Sequence, residues 1–134
     1  MSVMEFREIN KSNYWDCMEL IIDESQEGFV ADNKQSLVEA AYEDGLYTLG
    51  IYLEETMIGF VLYDYDETIP GWSMSRFMID KQFKGKGYGK QAAIAFLEYF
   101  KTKHIADKIY ISVSLENTVA HKMYSSIGFT EVKE

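Results

Sequence analysis

The segment with the most evident chemistry is Asp80-Lys81-Gln82-Phe83-Lys84-Gly85-Lys86-Gly87-Tyr88-Gly89-Lys90. Its alternate glycines leave backbone N–H groups uncovered where a long amphipathic stretch begins. A helix start there adds the positive end of its dipole, so the segment is built as an anion site suited to phosphate. Lys81, Lys84, Lys86 and Lys90 form a basic island in a chain of net charge −9. The competing reading is a flexible glycine turn with solvated lysines. Two familiar phosphate loops are excluded by spacing. A P-loop needs its first glycine where Lys84 stands and a Ser or Thr where Gln91 stands. A dinucleotide fingerprint counted from Gly85 and Gly87 needs its third glycine at Lys90.

The other polar residue types offer less. Cys17, the only cysteine, lies among apolar residues of an expected helix and reads as a buried hydrophobe. It permits no internal disulfide and fits a reducing, cytoplasmic setting. His104 and His121 lack metal-ligand spacing with Cys17, so no metal is expected. An acidic chain is a poor nucleic-acid surface. It suits a cationic substrate, although simple solubility explains the charge equally well. No signal peptide and no membrane-spanning run is expected.

These residues must be held by a core. The chain has 134 residues, 47% of them hydrophobic and 15% aromatic, with one proline, so 1–134 is expected to form a single domain. Met4 to Ile9 alternates as a strand. Ser12 or Asn13 caps a helix running to about Glu24, with Trp15, Met18, Ile21 and Ile22 on its face. Asp32 or Asn33 caps a second helix, with Leu37, Val38, Ala41 and Tyr42 on its apolar side. Tyr47 to Leu53 and Met57 to Tyr63 read as strands joined at Glu54-Glu55-Thr56, a hairpin signal without glycine. A polar loop from Asp64 to Gly71 precedes a strand from Trp72 to Ile79. Gly89 to Lys103 is helical, Lys108 to Ser114 a strand, and Asn117 caps a last helix ended by Gly128. The order β-α-α-β-β-β-α-β-α, with a strand stub at Phe129 to Val132, predicts an α/β fold. Its central sheet is mixed, largely antiparallel and flanked by helices.

Element order and motifs together resemble the GCN5-related N-acetyltransferases over essentially the whole chain. That family carries Gln/Arg-x-x-Gly-x-Gly/Ala at a helix start after a strand. The matching residues are Lys84-Gly85-Lys86-Gly87-Tyr88-Gly89, with Lys84 departing from Gln or Arg. The segment Asn117-Thr118-Val119-Ala120-His121-Lys122-Met123-Tyr124-Ser125-Ser126-Ile127-Gly128-Phe129 is similar to the family's Asn-x-x-Ala-x-x-x-Tyr-x-x-x-Gly-Phe. The resemblance implies transfer of acetyl from acetyl-CoA to an amine. It implies pyrophosphate on Lys84 to Lys90, a pantetheine arm paired with Phe77, Met78 and Ile79, and further contacts from Asn117 and Lys122. Tyr124 would stand near the sulfur as general acid, since a phenol pKa of ~10 is near a thiol's ~8.5. No base is evident. The position where polyamine enzymes of the family can carry an acid is Ser75, followed by Arg76. Two alternatives stay open: a water chain to Tyr110, Glu116 or a carboxylate of the Asp64–Glu67 segment, or binding of the small neutral fraction of the amine as such.

The nearest resemblance within the family is to bacterial spermine/spermidine (diamine) N-acetyltransferases, carried by Glu24 to Asn33 with Ser36-Leu37. It implies an acceptor site touched by Glu24, Glu27, Phe29, Tyr63 and Ser75. Another small amine, a protein N-terminus, or plain acyl-CoA binding remain alternatives. Two strands normally follow the Gly-Phe pair in this family and only Thr130 to Glu134 follow here. The open sheet edge this implies leads us to expect a homodimer.

Overall fold

In the computed structural model, residues 4–22, 32–113 and 116–131 are described. The sheet is built from β1 (Met4–Glu8), β2 (Leu46–Leu53), β3 (Thr56–Asp66), β4 (Gly71–Ile79) and β5 (Tyr110–Ile111), in that spatial order. The first four are antiparallel neighbours, and β5 joins β4 in parallel, so the sheet is mixed as expected. Met57 to Tyr63 is buried without interruption, which is why β3 takes the centre. The β2–β3 turn works without glycine because Glu54 itself adopts φ 58°.

Helices cover both faces. α3 (Tyr88–Lys103) lays Ala92, Phe96 and Phe100 on Ile58, Val61 and Tyr63, and α4 (Thr118–Ser126) adds Tyr124 to that layer. α1 (Tyr14–Glu19) and α2 (Asn33–Tyr42) cover the other face. There Cys17 packs with Phe60, Leu62 and Met78. Cys17 is fully buried, and desolvation pushes its thiol up to about 12. It is therefore an inert core group.

Five element expectations need correction. α1 stops at Glu19 rather than near Glu24, because Leu20 turns extended and Ile21 is drawn to β4 (below). α2 buries Ser36 and half-buries Leu37, while Val38, Ala41 and Tyr42 face outward. Its helix is pinned by the Asp32 cap and by the Ser36 hydroxyl donating to the Asp32 carbonyl, not by an apolar stripe. β3 runs on through polar Asp64 to Asp66, since antiparallel pairing with β4 reaches Gly71. The fifth strand shrinks to Tyr110–Ile111, and residues 129–131 of the stub form no strand.

Candidate active site

The site begins where β4 loses a neighbour. β5 pairs only with Ser73 and Met74. Beyond them the β4 edge through Phe77, Met78 and Ile79 has, among the described residues, β3 on one side only. A bulge marks the change: Leu62 faces Arg76 and Tyr63 faces Met74, so Ser75 is left unpaired in the register. The open edge, the glycine loop and α4 enclose a groove of about 300 Å³. Phe77 to Ile79 form one wall and Val119, Ala120, Met123 and Tyr124 the other. Lys84, Gly85, Gly87, Gly89 and Lys90 close one end.

Local sequence explains each wall. Asp80, itself buried, ends β4 and caps the 3-10 turn Lys81–Phe83 through Gln82 N–H at 3.0 Å. Its other carboxylate oxygen accepts Ile21 N–H at 2.9 Å, and Lys81 N–H donates to the Ile21 carbonyl at 2.6 Å. This clasp brings the chain leaving α1 to the groove, where Ile22 joins the lining. Gly85 and Gly87 follow at φ 80° and 79°, in the left-handed region. Gly87 is the cap residue of α3, and helix geometry leaves the N–H groups of Tyr88, Gly89 and Lys90 without intrahelical partners. Gly89 has no such need: a Cβ there would meet Ile79 at an ordinary 3.9 Å.

α4 is closed at both ends around Tyr124. Asn117 caps its start, its Oδ1 accepting Ala120 N–H at 3.3 Å. At its end Phe129 N–H donates to the Tyr124 carbonyl at 3.1 Å and Gly128 N–H to the Ser125 carbonyl at 3.2 Å, with Gly128 at φ 109°. That is a Schellman motif, and its apolar clasp is the Tyr124–Phe129 ring pair at 5.5 Å. The Tyr-x-x-x-Gly-Phe spacing is therefore a helix-stop device that fixes the tyrosine ring. Desolvation raises the phenol pKa, so the Tyr124 hydroxyl stays protonated at neutral pH.

Residues 11–129 match the Acetyltransferase (GNAT) family. The chain belongs to that family. It is similar to the "Probable spermine N(1)-acetyltransferase" of Bacillus subtilis subsp. natto, 29% identical over 84% of this chain and 78% of the relative. It is 28% identical, over the same shares, to the "Spermine/spermidine N(1)-acetyltransferase" of Bacillus subtilis strain 168. Among solved structures it resembles the aminoglycoside enzyme AAC(6')-Iy in complex with a CoA-linked bisubstrate analogue. That likeness has a TM-score of 0.71 at 20% identity and covers 99% of this chain and 95% of that one.

The protein is thus a GNAT N-acetyltransferase, and acetyl-CoA is its acyl donor. The groove fits that donor chemically. Free N–H groups and two lysines gather at one end for phosphates, and an unpaired strand edge beside apolar Met123 and Val119 suits an amide-bearing arm. Of the residues expected at the cofactor, Phe77, Met78, Ile79, Lys84, Gly85, Gly87, Gly89, Lys90 and Tyr124 line the groove. Lys86 and Lys122 are exposed outside that lining. Tyr88 is half-buried, its ring 6.4 Å from Phe83, and Asn117 serves α4 as its cap.

The acceptor residues divide differently. Glu24, Glu27 and Phe29 lie outside the described residues. Tyr63 requires correction: it is 2% exposed, stacked with Tyr47 and edge-on to Phe96 and Phe100, and its hydroxyl bonds His104 Nε2 at 3.0 Å. Its phenol is pushed up by burial, and it belongs to the core beneath α3. Ser75 is exposed at the bulge and donates to Asp64. Sequence reasoning missed the Asp80 clasp. Its signal was present as an Asp two residues before Gln82 at a strand end, the pattern of an Asx cap.

Proposed function

We propose that this acetyltransferase acetylates a polyamine or diamine of the spermidine and spermine class by direct transfer, with Tyr124 as general acid. The observation that carries the chemistry is a single groove joining the Tyr124 ring, the open Phe77–Ile79 edge and the Lys84–Lys90 loop. The polyamine assignment is supported by the two Bacillus relatives, matched over 84% of the chain, and by a net charge of −9 that favours a polycation.

Acetyl-CoA supplies the activated acetyl group. The chain's own residues do the rest. N–H groups at the start of α3, with Lys84 and Lys90, bind the anionic end. Backbone groups of Phe77 and Ile79, which strand alternation turns to the open edge, bind and straighten the arm, and an N–H of Phe77 or Ile79 polarises the carbonyl. Tyr124 gives its phenolic proton to the departing sulfur. The acceptor ammonium first loses one proton to water, the neutral nitrogen attacks the carbonyl, and the proton it sheds as the C–N bond forms restores the phenol, so protons balance. Because burial raises the phenol's pKa above its usual value, the proton rests on Tyr124 at both ends of the cycle, and the gap to the thiol's ~8.5 is wider than an unperturbed phenol's.

The test is thiol release from acetyl-CoA with spermidine, spermine, putrescine and an uncharged aromatic amine. Saturable release with the polyamines, and little with the uncharged amine, is expected. Release with the uncharged amine alone, or with none, refutes the polyamine reading.

A further inference from the structure

The polar pair at the β4 bulge lies outside the lining of the donor groove. Ser75 Oγ donates to Asp64 Oδ1 at 2.7 Å. Asp64 follows buried Leu62 by two residues on β3, so it stands on the α1–α2 face, where it is half-buried beside exposed Ser75. The pair sits where the β5 pairing stops and the β4 edge opens. Ser75 is about 7 Å along the strand from Phe77, on the side remote from the glycine loop. A donor anchored by its phosphates at Lys84 to Lys90 and laid along Phe77 to Ile79 therefore brings its reactive end toward Ser75 and Asp64.

The charges around the pair leave Asp64 available. Arg76, the nearest cation in sequence, is held by Glu39 at 2.8 Å, and Gln35 donates to the other Glu39 oxygen at 2.8 Å. Hydrogen bonds from Gln35, then from Arg76, hold the Glu39 carboxyl below its usual range, so that ion pair stays formed. Among the described residues no cationic side chain pairs with Asp64. We infer that Asp64, oriented by Ser75, seats an ammonium group of the polyamine acceptor other than the reacting nitrogen, beside the end of the groove. Ser75 is the positioning residue: its hydroxyl fixes one carboxylate oxygen and turns the other toward the amine. This inference rests on the polyamine reading above and names the residue that would select a cationic acceptor.

The experiment measures spermidine binding to the CoA-loaded protein by calorimetry, alongside steady-state thiol release, for wild type, Asp64→Asn, Asp64→Glu and Ser75→Ala. Asp64→Asn should weaken spermidine binding and raise its KM about tenfold or more, as loss of a charge-assisted bond requires. CoA affinity and the KM for acetyl-CoA should not move. Asp64→Glu should recover part of the loss, and Ser75→Ala should show a smaller loss of the same kind. Spermidine affinity unchanged in Asp64→Asn overturns the inference, even if wild type turns over polyamines normally. Asp64-dependent binding without thiol release upholds the inference while removing the catalytic proposal. No spermidine binding by wild type removes both.

Discussion

Replacing Asp80 by Ala should damage both stability and donor binding. Its carboxylate accepts Gln82 N–H at 3.0 Å and Ile21 N–H at 2.9 Å from a buried position. Bonds to a charged acceptor contribute about 1.5–3 kcal/mol each, so the pair is worth at most about 6. Water offsets part of this, because Gln82 is exposed and Ile21 is 60% exposed. A loss of about 2–4 kcal/mol remains, a fall of roughly 10 °C in Tm for a domain of this size. Asp80→Asn should lose about half as much, since an amide keeps one acceptor and turns its NH2 toward the other donor. The carbonyl of Ile21 also receives Lys81 N–H, and Ile22 lines the groove, so the KM for acetyl-CoA should rise severalfold in both variants. Denaturant titration with a two-state fit, plus steady-state kinetics, reads both effects. An unchanged midpoint in Asp80→Ala, or a full-size loss in Asp80→Asn, would refute the clasp as the cause.

Tyr124→Phe should lower kcat at least tenfold with calorimetric acetyl-CoA affinity retained, because only the proton donor is removed; equal kcat removes the acid role. Gly87→Val should abolish acetyl-CoA binding, since a β-branched residue is an outlier at φ 79° and the loop must then move; tight binding by the variant sinks the loop assignment. His104 titrates below its usual range, chiefly through burial and then Lys103, so it folds in the neutral form. The unfolded chain takes up that proton first as pH falls. Stability contributed by neutral His104 is therefore complete above about pH 6.5 and is lost as pH drops from there through the lower folded-state pKa. His104→Gln should flatten this part of a stability–pH curve, and an unchanged slope would mean another group sets it.

Much of the fold was legible because its signals are local. The caps at Asp32 and Asn117 are read from one side chain and a backbone two or three residues on. The uninterrupted run from Met57 to Tyr63 marks a central strand by itself. The misreadings arose where a distant partner decides. Nothing near Glu19 ends α1; Asp80, far along the chain, does so by claiming Ile21. In α2 the stripe of Val38, Ala41 and Tyr42 is apolar yet outward, because Arg76 of β4 draws Glu39, with Ser36 beneath, toward the sheet. Tyr63 looked like a groove aromatic because residues of either face of a strand read alike; alternation from Leu62 sends it under α3 instead.

The site follows the same division. Its donor half is made of contiguous motifs whose geometry is intrinsic: two left-handed glycines before a helix, and a Schellman stop behind a tyrosine. Such motifs survive in the sequence because each residue's requirement is met by its neighbours. Its acceptor half is made by a register slip. Ser75 and Asp64 lie eleven positions apart and meet only because the bulge puts Arg76 opposite Leu62 and Met74 opposite Tyr63. The spacing of Ser75 and Asp64 carries no periodic signal, and with regular pairing throughout, Ser75 would occupy a ladder position and turn to the other face. The bulge thus does two things at once. It interrupts the β3–β4 ladder just where β5 stops, and it aims a serine at a carboxylate beside the opening. Any substitution that restores regular β3–β4 pairing, such as deletion of Ser75, should then close the groove's far end and detach Asp64 together. Donor and acceptor binding would fall in one step, whereas Ser75→Ala should touch the acceptor alone.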